Sequence, residues 1–554
     1  MPTIRLSPWQ LAVAAAIFIV AVSNGSLFAA LLGGLDVHSI AGTGFLATLL
    51  LLMVLVLVTI FLTIGFGWLL KAVVGLFLVV SAILAYFCNE LGIVFDQDML
   101  ANIAETVRDN NIAEATELAS APLLLHVLFF GVLPALLLGF VQLQKRNLGR
   151  ELGVRALVLT AGFVLLAGIT LPNYRYITYF GRENSSLEVK ATPIYPLISM
   201  VKLIRDHLRP ERSFQVIDAA AFQRHTLKRK SIGIMVVGET ARADHFSMGG
   251  YAVKTNPRLE NIPGVIFADA DSCGTSTLFS VPCMFSMRGR DTYEPDEASS
   301  ESNVLDILTA AGVKTVWIDN NSSCKNVCNR IENSNLRDEP DEAAALYSDM
   351  GYFDEILLQK IEPYLDTDGP DVLIVLHTLG SHGPAYSRRY PAEFGIFKPY
   401  CQQASPTDCT TEEVVNAYDN TIAYTDYLLS QLIEKLRTKA DAVDTFLFYV
   451  SDHGESLGEG GIYLHGLPYA IAPYAQKDVP FIFWASDSFY EDRFATPKFV
   501  ALADGKHLSH DNISHTLLGI YDVSASSYLQ SLDALSSAMD PNRSRRIASA
   551  NSNK

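Results

Sequence analysis

Four short motifs in the C-terminal half of the chain set carboxylates and imidazoles directly after apolar runs: Glu239 in VVGETARADH, His377 and His382 in LHTLGSHGPAY, Asp452 and His453 in YVSDHGESLG, and His465 in GEGGIYLHG. Imidazole nitrogens and carboxylate oxygens are the ligands zinc takes at about 2.0–2.2 Å. Two such ions about 3.5–4 Å apart can stabilise both apical oxygens of an in-line phosphoryl displacement. That chemistry also needs a hydroxyl made anionic at neutral pH, and CGTSTLFSVPC, residues 273–283, is a hydroxyl-rich turn leading into a short helical run. A helix N-terminus gathers N–H groups and a positive dipole end, which suit a phosphoryl group. Spacing leaves Thr275, Ser276, Thr277 and Ser280 open as nucleophile, and leaves open that the first three only cap the helix. Taken singly, each strand-end Asp or loop His reads as a cap or a surface residue. Their joint placement is what points to a metal.

The elements that position these residues are β-branched runs: SIGIMVVGE, VKTVWIDN, DVLIVLHT, TFLFYVSD and VPFIFWAS, separated by helical stretches. Apolar strands alternating with helices imply a mostly parallel sheet covered on both faces. In such sheets ligands gather at the carboxyl ends of the strands, so the fold itself brings Glu239, Asp319, His377 and Asp452 to one edge. The expected α/β domain runs from 231 to 540, followed by a polar tail at 541–554.

Upstream, five apolar runs at about 11–33, 43–66, 69–90, 122–143 and 155–172 reach the roughly 20 residues that a ~30 Å hydrocarbon core requires. The first reads as a retained anchor rather than a cleaved leader, because four more runs follow it. Residues 1–172 are therefore expected to form a domain of five transmembrane helices. Arg5, Lys71, Lys145, Arg146, Arg150 and Arg155 fall on one side of these spans, which assigns that side to the cytoplasm. The polar loop 91–121, the amphipathic connector 173–230 and the α/β domain then lie outside. Cysteine usage agrees: Cys273/Cys283, Cys324/Cys328 and Cys401/Cys409 are three close pairs in that domain, suiting local disulfides in an oxidising compartment, while Cys88 stands alone in an apolar run. A net charge of −17 and a pI near 5.2 exclude nucleic acid as a partner, since no basic face is available to neutralise phosphates.

Taken together, VVGETARADH, CGTST followed by SVPCMFS, HGPAY, SDHGESLGE and the downstream HG resemble the phosphoethanolamine transferases that modify lipid A and confer polymyxin resistance, members of the alkaline phosphatase and sulfatase superfamily. The likeness covers almost the whole chain. It implies an alkaline-phosphatase-like catalytic domain in the periplasm, anchored in the inner membrane of a Gram-negative cell. It implies Thr277 as nucleophile, with Glu239, Thr277, Asp452 and His453 around a catalytic Zn2+, and His382 and His465 serving a second metal or the substrate phosphate. Substrate contacts carried over from the family are Asn321, Ser322 and Lys325 in NNSSCK, His377, and Asn102 and Thr106 in the 91–121 loop; Glu114 matches a family glutamate if that loop holds an extra helical turn. The implied donor is phosphatidylethanolamine, the acceptor lipid A or another lipopolysaccharide site, and the working unit a monomer among membrane lipids.

Sulfatase chemistry would need C/S-x-P-x-R, and Cys283 in PCMFSMR lacks the proline at that offset. A phosphoglycerol transferase would keep the threonine and metal ligands but carry other substrate motifs. A degenerate membrane sensor would lose ligands, whereas every expected ligand type is present; a transporter would place ionisable groups inside the spans, where, apart from the charges at the span ends, His126 stands alone.

Overall fold

The computed structural model describes residues 4–35, 38–108, 119–183, 185–208, 212–224, 227–338, 341, 344–348, 351–403, 405–494 and 507–536. The chain forms two compact units, one of Met1–Ile103, Ala119–Arg209 and Gly460–Ile462, the other of Ala104–Leu118, Pro210–Glu459 and Tyr463–Lys554.

The first unit is helical. Its elements are α1 (Pro8–Ser23), α2 (Gly25–Gly34), α3 (Ile40–Ile64), α4 (Trp68–Tyr86), the start of α5 (Gln97–Arg108), α6 (Ala121–Val127), α7 (Leu148–Glu183) and α8 (Ile194–His207). Four stretches, Ile40–Ile64, Trp68–Leu91, Ala121–Phe140 and Leu148–Tyr174, are long and apolar enough to cross a membrane. The first expected span is instead a bent pair, α1 and α2 meeting at 66°, which gives a fifth crossing if the two act as one. The break falls at Asn24, whose fully buried amide donates to the carbonyls of Val20 (3.0 Å) and Thr192 (2.7 Å) and accepts from the Thr192 N–H at 2.9 Å. One side chain thus satisfies the Val20 carbonyl at the kink and ties the break to the backbone of Thr192. The last span starts earlier than expected, so Arg155 lies within α7, buried and paired with Glu151 at 2.9 Å. Leu136, Leu157 and Val164 point outward from these helices, as helices that are apolar all round do when lipid is their solvent. Along α8, Ile198, Val201 and Ile204 are exposed beside Lys202 and Arg205, the amphipathic pattern expected of the connector.

The second unit is built on an eight-stranded sheet. In chain order its strands are β1 (Ser231–Gly238), β2 (Ile266–Asp271), β3 (Lys314–Asp319), β4 (Glu332–Asn335), β5 (Val372–His377), β6 (Asp444–Ser451), β7 (Asp478–Ala485) and β8 (Leu508–Ser509). Their spatial order is β8-β2-β7-β6-β1-β5-β3-β4. The central strands β6, β1, β5 and β3 are mutually parallel. VPFIFWAS differs from its neighbours: as β7 it pairs antiparallel with both β6 and β2. No crossover helix separates β6 from β7; the chain leaves β6 at the site edge, makes the 452–477 loop there, and re-enters the sheet from the same edge.

Both faces are covered, which is why the strands read as unbroken apolar runs. Met235, Val237, Phe446, Phe448 and Trp317 pack on one side with Phe285 of α9 (Thr277–Phe285) and with Ile513 and Leu517 from a later helix. Ile234, Val236, Leu447 and Tyr449 pack on the other with Tyr418, Ile422, Leu429 and Leu432 of α10 (Thr411–Arg437). The helix carrying Ile513 and Leu517 is α11 (Asp511–Ile520). The three cysteine pairs are closed as Cys273–Cys283, Cys324–Cys328 and Cys401–Cys409, and Cys88 is a buried free thiol.

Candidate active site

Sheet register assembles the site. Ser451 at the end of β6 pairs with Gly238 at the end of β1, and the Asp452 N–H donates to the Gly238 carbonyl at 2.9 Å, so Glu239 and Asp452 leave the sheet side by side. Close approach demands glycine here: a Cβ on Gly238 would lie 2.5 Å from the Tyr449 hydroxyl, and one on Gly380, at φ +53°, 2.8 Å from the Glu239 carbonyl. The 378–382 loop can therefore lie against Glu239. It is pinned there by Ser381 N–H to Glu239 O at 3.0 Å, and by Leu379 and Gly380 N–H to the buried Asp354 carboxylate at 2.8 and 2.9 Å. That carries His382 to the site.

Of the four candidate hydroxyls, one faces the acidic cluster. Thr277 Oγ1 is 3.2 and 3.1 Å from the two Glu239 oxygens and 3.4 Å from His453 Nε2. Thr275 donates instead to the Leu467 carbonyl at 2.6 Å, and Ser280 to the Asp452 carbonyl. Ser276 occupies the cap position of α9 without a side-chain capping bond, and Thr277 is the first helical residue.

His453 Nδ1 lies 2.9 Å from the Gly454 carbonyl, which can only accept, so that nitrogen carries the proton and Nε2 presents a lone pair. Burial pushes this imidazole down to about 4, keeping it neutral. Its bare Nε2 nevertheless sits 3.4 Å from Glu239 Oε1 and 3.3 Å from Asp452 Oδ2. Asp452 Oδ1 accepts from the N–H groups of Thr240 (3.2 Å) and His453 (2.7 Å), while buried Oδ2 has no donor among the described residues. Acceptors converging on acceptors in a dry site are repulsive unless a cation lies between them. Glu239, Asp452 and His453 offer three donor atoms all within 4.8 Å of one another, and Glu239, His382 and His465 form a second such set. The donor types fit zinc.

His465 is oriented by a residue that its motif did not single out. Its Nδ1 meets the fully buried Glu455 carboxylate at 2.7 Å, leaving Nε2 for the site. Glu455 also accepts from Tyr386 Oη at 2.7 Å; burial and that carboxylate hold the phenol well above its usual range, so it stays a donor. The His465 ring centroid lies 4.4 Å from that of His453 and 5.4 Å from that of His382.

Asn321 reaches Glu239 of the candidate metal cluster. Its amide nitrogen donates to Glu239 Oε2 at 2.8 Å and to the Thr378 carbonyl at 2.9 Å, and its oxygen accepts from the Ser322 N–H at 2.6 Å. Its own backbone N–H is held by Asp319 (2.8 Å), which also accepts from Trp317 Nε1 (2.9 Å) and contacts His377 Nδ1 at 3.0 Å. His377 is fully buried behind the cluster, in this support layer. Lys325, in a left-handed conformation at φ +48°, donates to Ser322 Oγ at 2.8 Å and pairs with Glu105 Oε2 at 3.4 Å. Glu105, Arg108, Ser322, Ser323, Asn326, Asn335 and Arg337 are among the residues lining a polar cavity of about 420 Å³. Glu105 had no motif to flag it. Asn102 and Thr106 lie on α5, and Glu114 lies outside the described residues.

A mixed sheet with a helix-terminal threonine facing a strand-end cluster of acidic and imidazole groups defines a sulfatase-type transfer domain, and the family described as Sulfatase matches residues 232–523. Residues 53–208 match the family described as Phosphoethanolamine transferase EptA/EptB. The chain belongs to the phosphoethanolamine transferase family: it is 38% identical over 480 residues to the phosphoethanolamine transferase EptA of Escherichia coli (strain K12), covering 85% of this chain and 86% of that one. It is 34% identical to the phosphatidylethanolamine transferase Mcr-1 of Escherichia coli, over 94% of this chain and 96% of the relative. Among solved structures, the integral membrane lipooligosaccharide phosphoethanolamine transferase A of Neisseria meningitidis superimposes with a TM-score of 0.90 at 32% identity, covering 97% of this chain and all of that one.

Proposed function

We propose that this chain transfers phosphoethanolamine from phosphatidylethanolamine to lipid A or another lipopolysaccharide site through an ester on Thr277. The observation that carries this reading is that Thr277 Oγ1, alone among the hydroxyls of the 273–283 turn, lies 3.1–3.4 Å from Glu239 and His453. The Thr277 oxygen attacks the donor phosphorus as the bond to the diacylglycerol oxygen breaks, the threonine proton leaving with that oxygen, and an oxygen of the acceptor then displaces Thr277, to which the acceptor's proton returns. Glu239, Asp452, His453 and Thr277 would hold a zinc ion, which would supply Lewis acidity at the threonine oxygen and the phosphoryl group. His382 takes the acceptor's proton, and His465, with Glu455 fixing its tautomer, contacts the phosphoryl group or a second ion. Lys325 and Ser322 contact the donor phosphate beside the polar cavity. By the family resemblance, Asn102, Thr106 and Glu114 of the 91–121 loop are donor contacts.

Two relatives support the choice of substrates by their names, one a phosphatidylethanolamine transferase and the other a lipooligosaccharide phosphoethanolamine transferase. The three disulfides and the one-sided basic residues support a periplasmic catalytic domain in a Gram-negative inner membrane. Each transferred group adds an ammonium to the cell surface, weakening its attraction for cationic peptides such as polymyxin. Incubating the purified chain with fluorescent phosphatidylethanolamine tests the scheme: the parent releases diacylglycerol and gains a phosphoethanolamine mass on the peptide containing Thr277, and Thr277→Ala does neither. Diacylglycerol release by Thr277→Ala at the parental rate overturns it.

A further inference from the structure

His510 belongs to none of the motifs above, yet it touches three segments that build the site. It immediately precedes α11 and is 1% exposed. Its Nε2 lies 2.9 Å from the carbonyl of Ser451, the last residue of β6 and the neighbour of Asp452. Its Nδ1 lies 3.0 Å from the backbone N–H of Cys273, at the start of the turn that carries Thr277. A carbonyl only accepts and an N–H only donates, so both contacts demand one tautomer, with the proton on Nε2 and the lone pair on Nδ1. The third segment is α9: Ser280 Oγ is 3.3 Å from Nδ1 and donates its own hydrogen to the Asp452 carbonyl. The His510 backbone N–H in turn donates to the Asp271 carbonyl at 3.0 Å, at the end of β2.

These contacts span the one distance the reaction depends on. Glu239 and His453 leave the sheet on β1 and β6, whereas Thr277 arrives on a separate turn and helix, so no sheet hydrogen bond sets the gap between them. We infer that His510 is a positioning residue for the transfer reaction, a buried imidazole strut between the Cys273 turn and the end of β6 that sets Thr277 Oγ1 against Glu239 and His453. It meets no substrate atom. The inference rests on the reading of Thr277 as nucleophile. Misplacing a reacting atom by about 1 Å can cost on the order of 100-fold in rate, and a ring held at both ends by backbone groups resists such a shift as a rotatable chain would not.

The test uses the full-length chain in detergent with fluorescent phosphatidylethanolamine, reading kcat and KM of diacylglycerol release per zinc-loaded, folded molecule. His510→Ala is expected to lower kcat about 100-fold with KM within about twofold. His510→Gln keeps an N–H able to reach Ser451 O but no acceptor for Cys273, and His510→Asn does the reverse. Each is expected to lose about tenfold, intermediate between parent and alanine. A purely structural role would lower the melting temperature and the folded yield while leaving kcat per folded molecule at the parental value; that result in either amide variant overturns the inference even if the alanine variant does not fold. Thr277→Ala is run beside them: if it is active, the nucleophile assignment itself falls, whereas an inactive Thr277→Ala with fully active His510 variants removes only the strut.

Discussion

Asn321→Ala separates two roles that the NNSSCK motif could play. By resemblance Asn321 is a substrate contact, but its amide nitrogen is engaged by Glu239 Oε2 and the Thr378 carbonyl at 2.8 and 2.9 Å, and its oxygen by the Ser322 N–H. Both amide hydrogens are thus spent, one of them on the Glu239 carboxylate of the candidate metal cluster. A hydrogen bond to a charged group contributes about 1.5–3 kcal/mol, and removing an outer partner of a metal ligand typically costs 10–100-fold in metal affinity, about 1.4–2.7 kcal/mol. The two figures agree. The alanine variant should therefore raise the zinc dissociation constant 10–100-fold, measured by competition with a chromophoric chelator, while KM for phosphatidylethanolamine at saturating zinc changes less than about threefold. A variant with parental zinc affinity and a KM raised tenfold or more would refute the reasoning and return Asn321 to the substrate.

Two further outcomes follow from the same geometry. Burial, then Asp269, Asp244 and Asp271, push Asp478 on β7 up to about 7, so the folded state holds its proton more tightly than the unfolded chain; stability from this group is full below about pH 3.8 and declines as pH rises toward 7. Asp478→Asn should accordingly raise the melting temperature, more at pH 8 than at pH 5, and a destabilised variant at pH 8 would contradict this. Cys401–Cys409 closes a short loop between residues eight apart, a constraint worth about 2–3 kcal/mol through the unfolded chain. The Cys401→Ser/Cys409→Ser pair should unfold at lower denaturant yet keep kcat per folded molecule, whereas Cys273→Ser/Cys283→Ser, at the ends of the Thr277 turn, should lose kcat as well.

What could be read along the chain was whatever local pattern encodes. Runs such as SIGIMVVG and TFLFYVS announce strands buried on both faces, and the polar residue ending each run locates the edge where Glu239 and Asp452 emerge. The apolar stretches and the basic residues between them announce membrane helices, and close cysteine spacing announces local disulfides, because loops that short bring thiols together whatever the rest of the chain does. Hydrogen-bond periodicity and burial are properties of a few consecutive residues. Pairings across long stretches are not. The antiparallel setting of VPFIFWAS followed from where the 452–477 loop returns, and the break at Asn24 depended on Thr192, 168 residues away. By spacing alone Thr277 was one of four equivalent hydroxyls, with only family resemblance to prefer it; packing sends Thr275 to Leu467 and Ser280 to Asp452 and sets Thr277 against groups 38 and 176 residues distant. Glu105 and His510 fall in no motif, and Glu455, though inside SDHGESLGE, was not singled out by it, because a lone carboxylate or imidazole looks the same on a surface as in a site. Composition and periodicity determine which elements form and where their polar ends lie; the atoms that meet there are decided by side-chain packing between distant segments, which only the tertiary structure specifies.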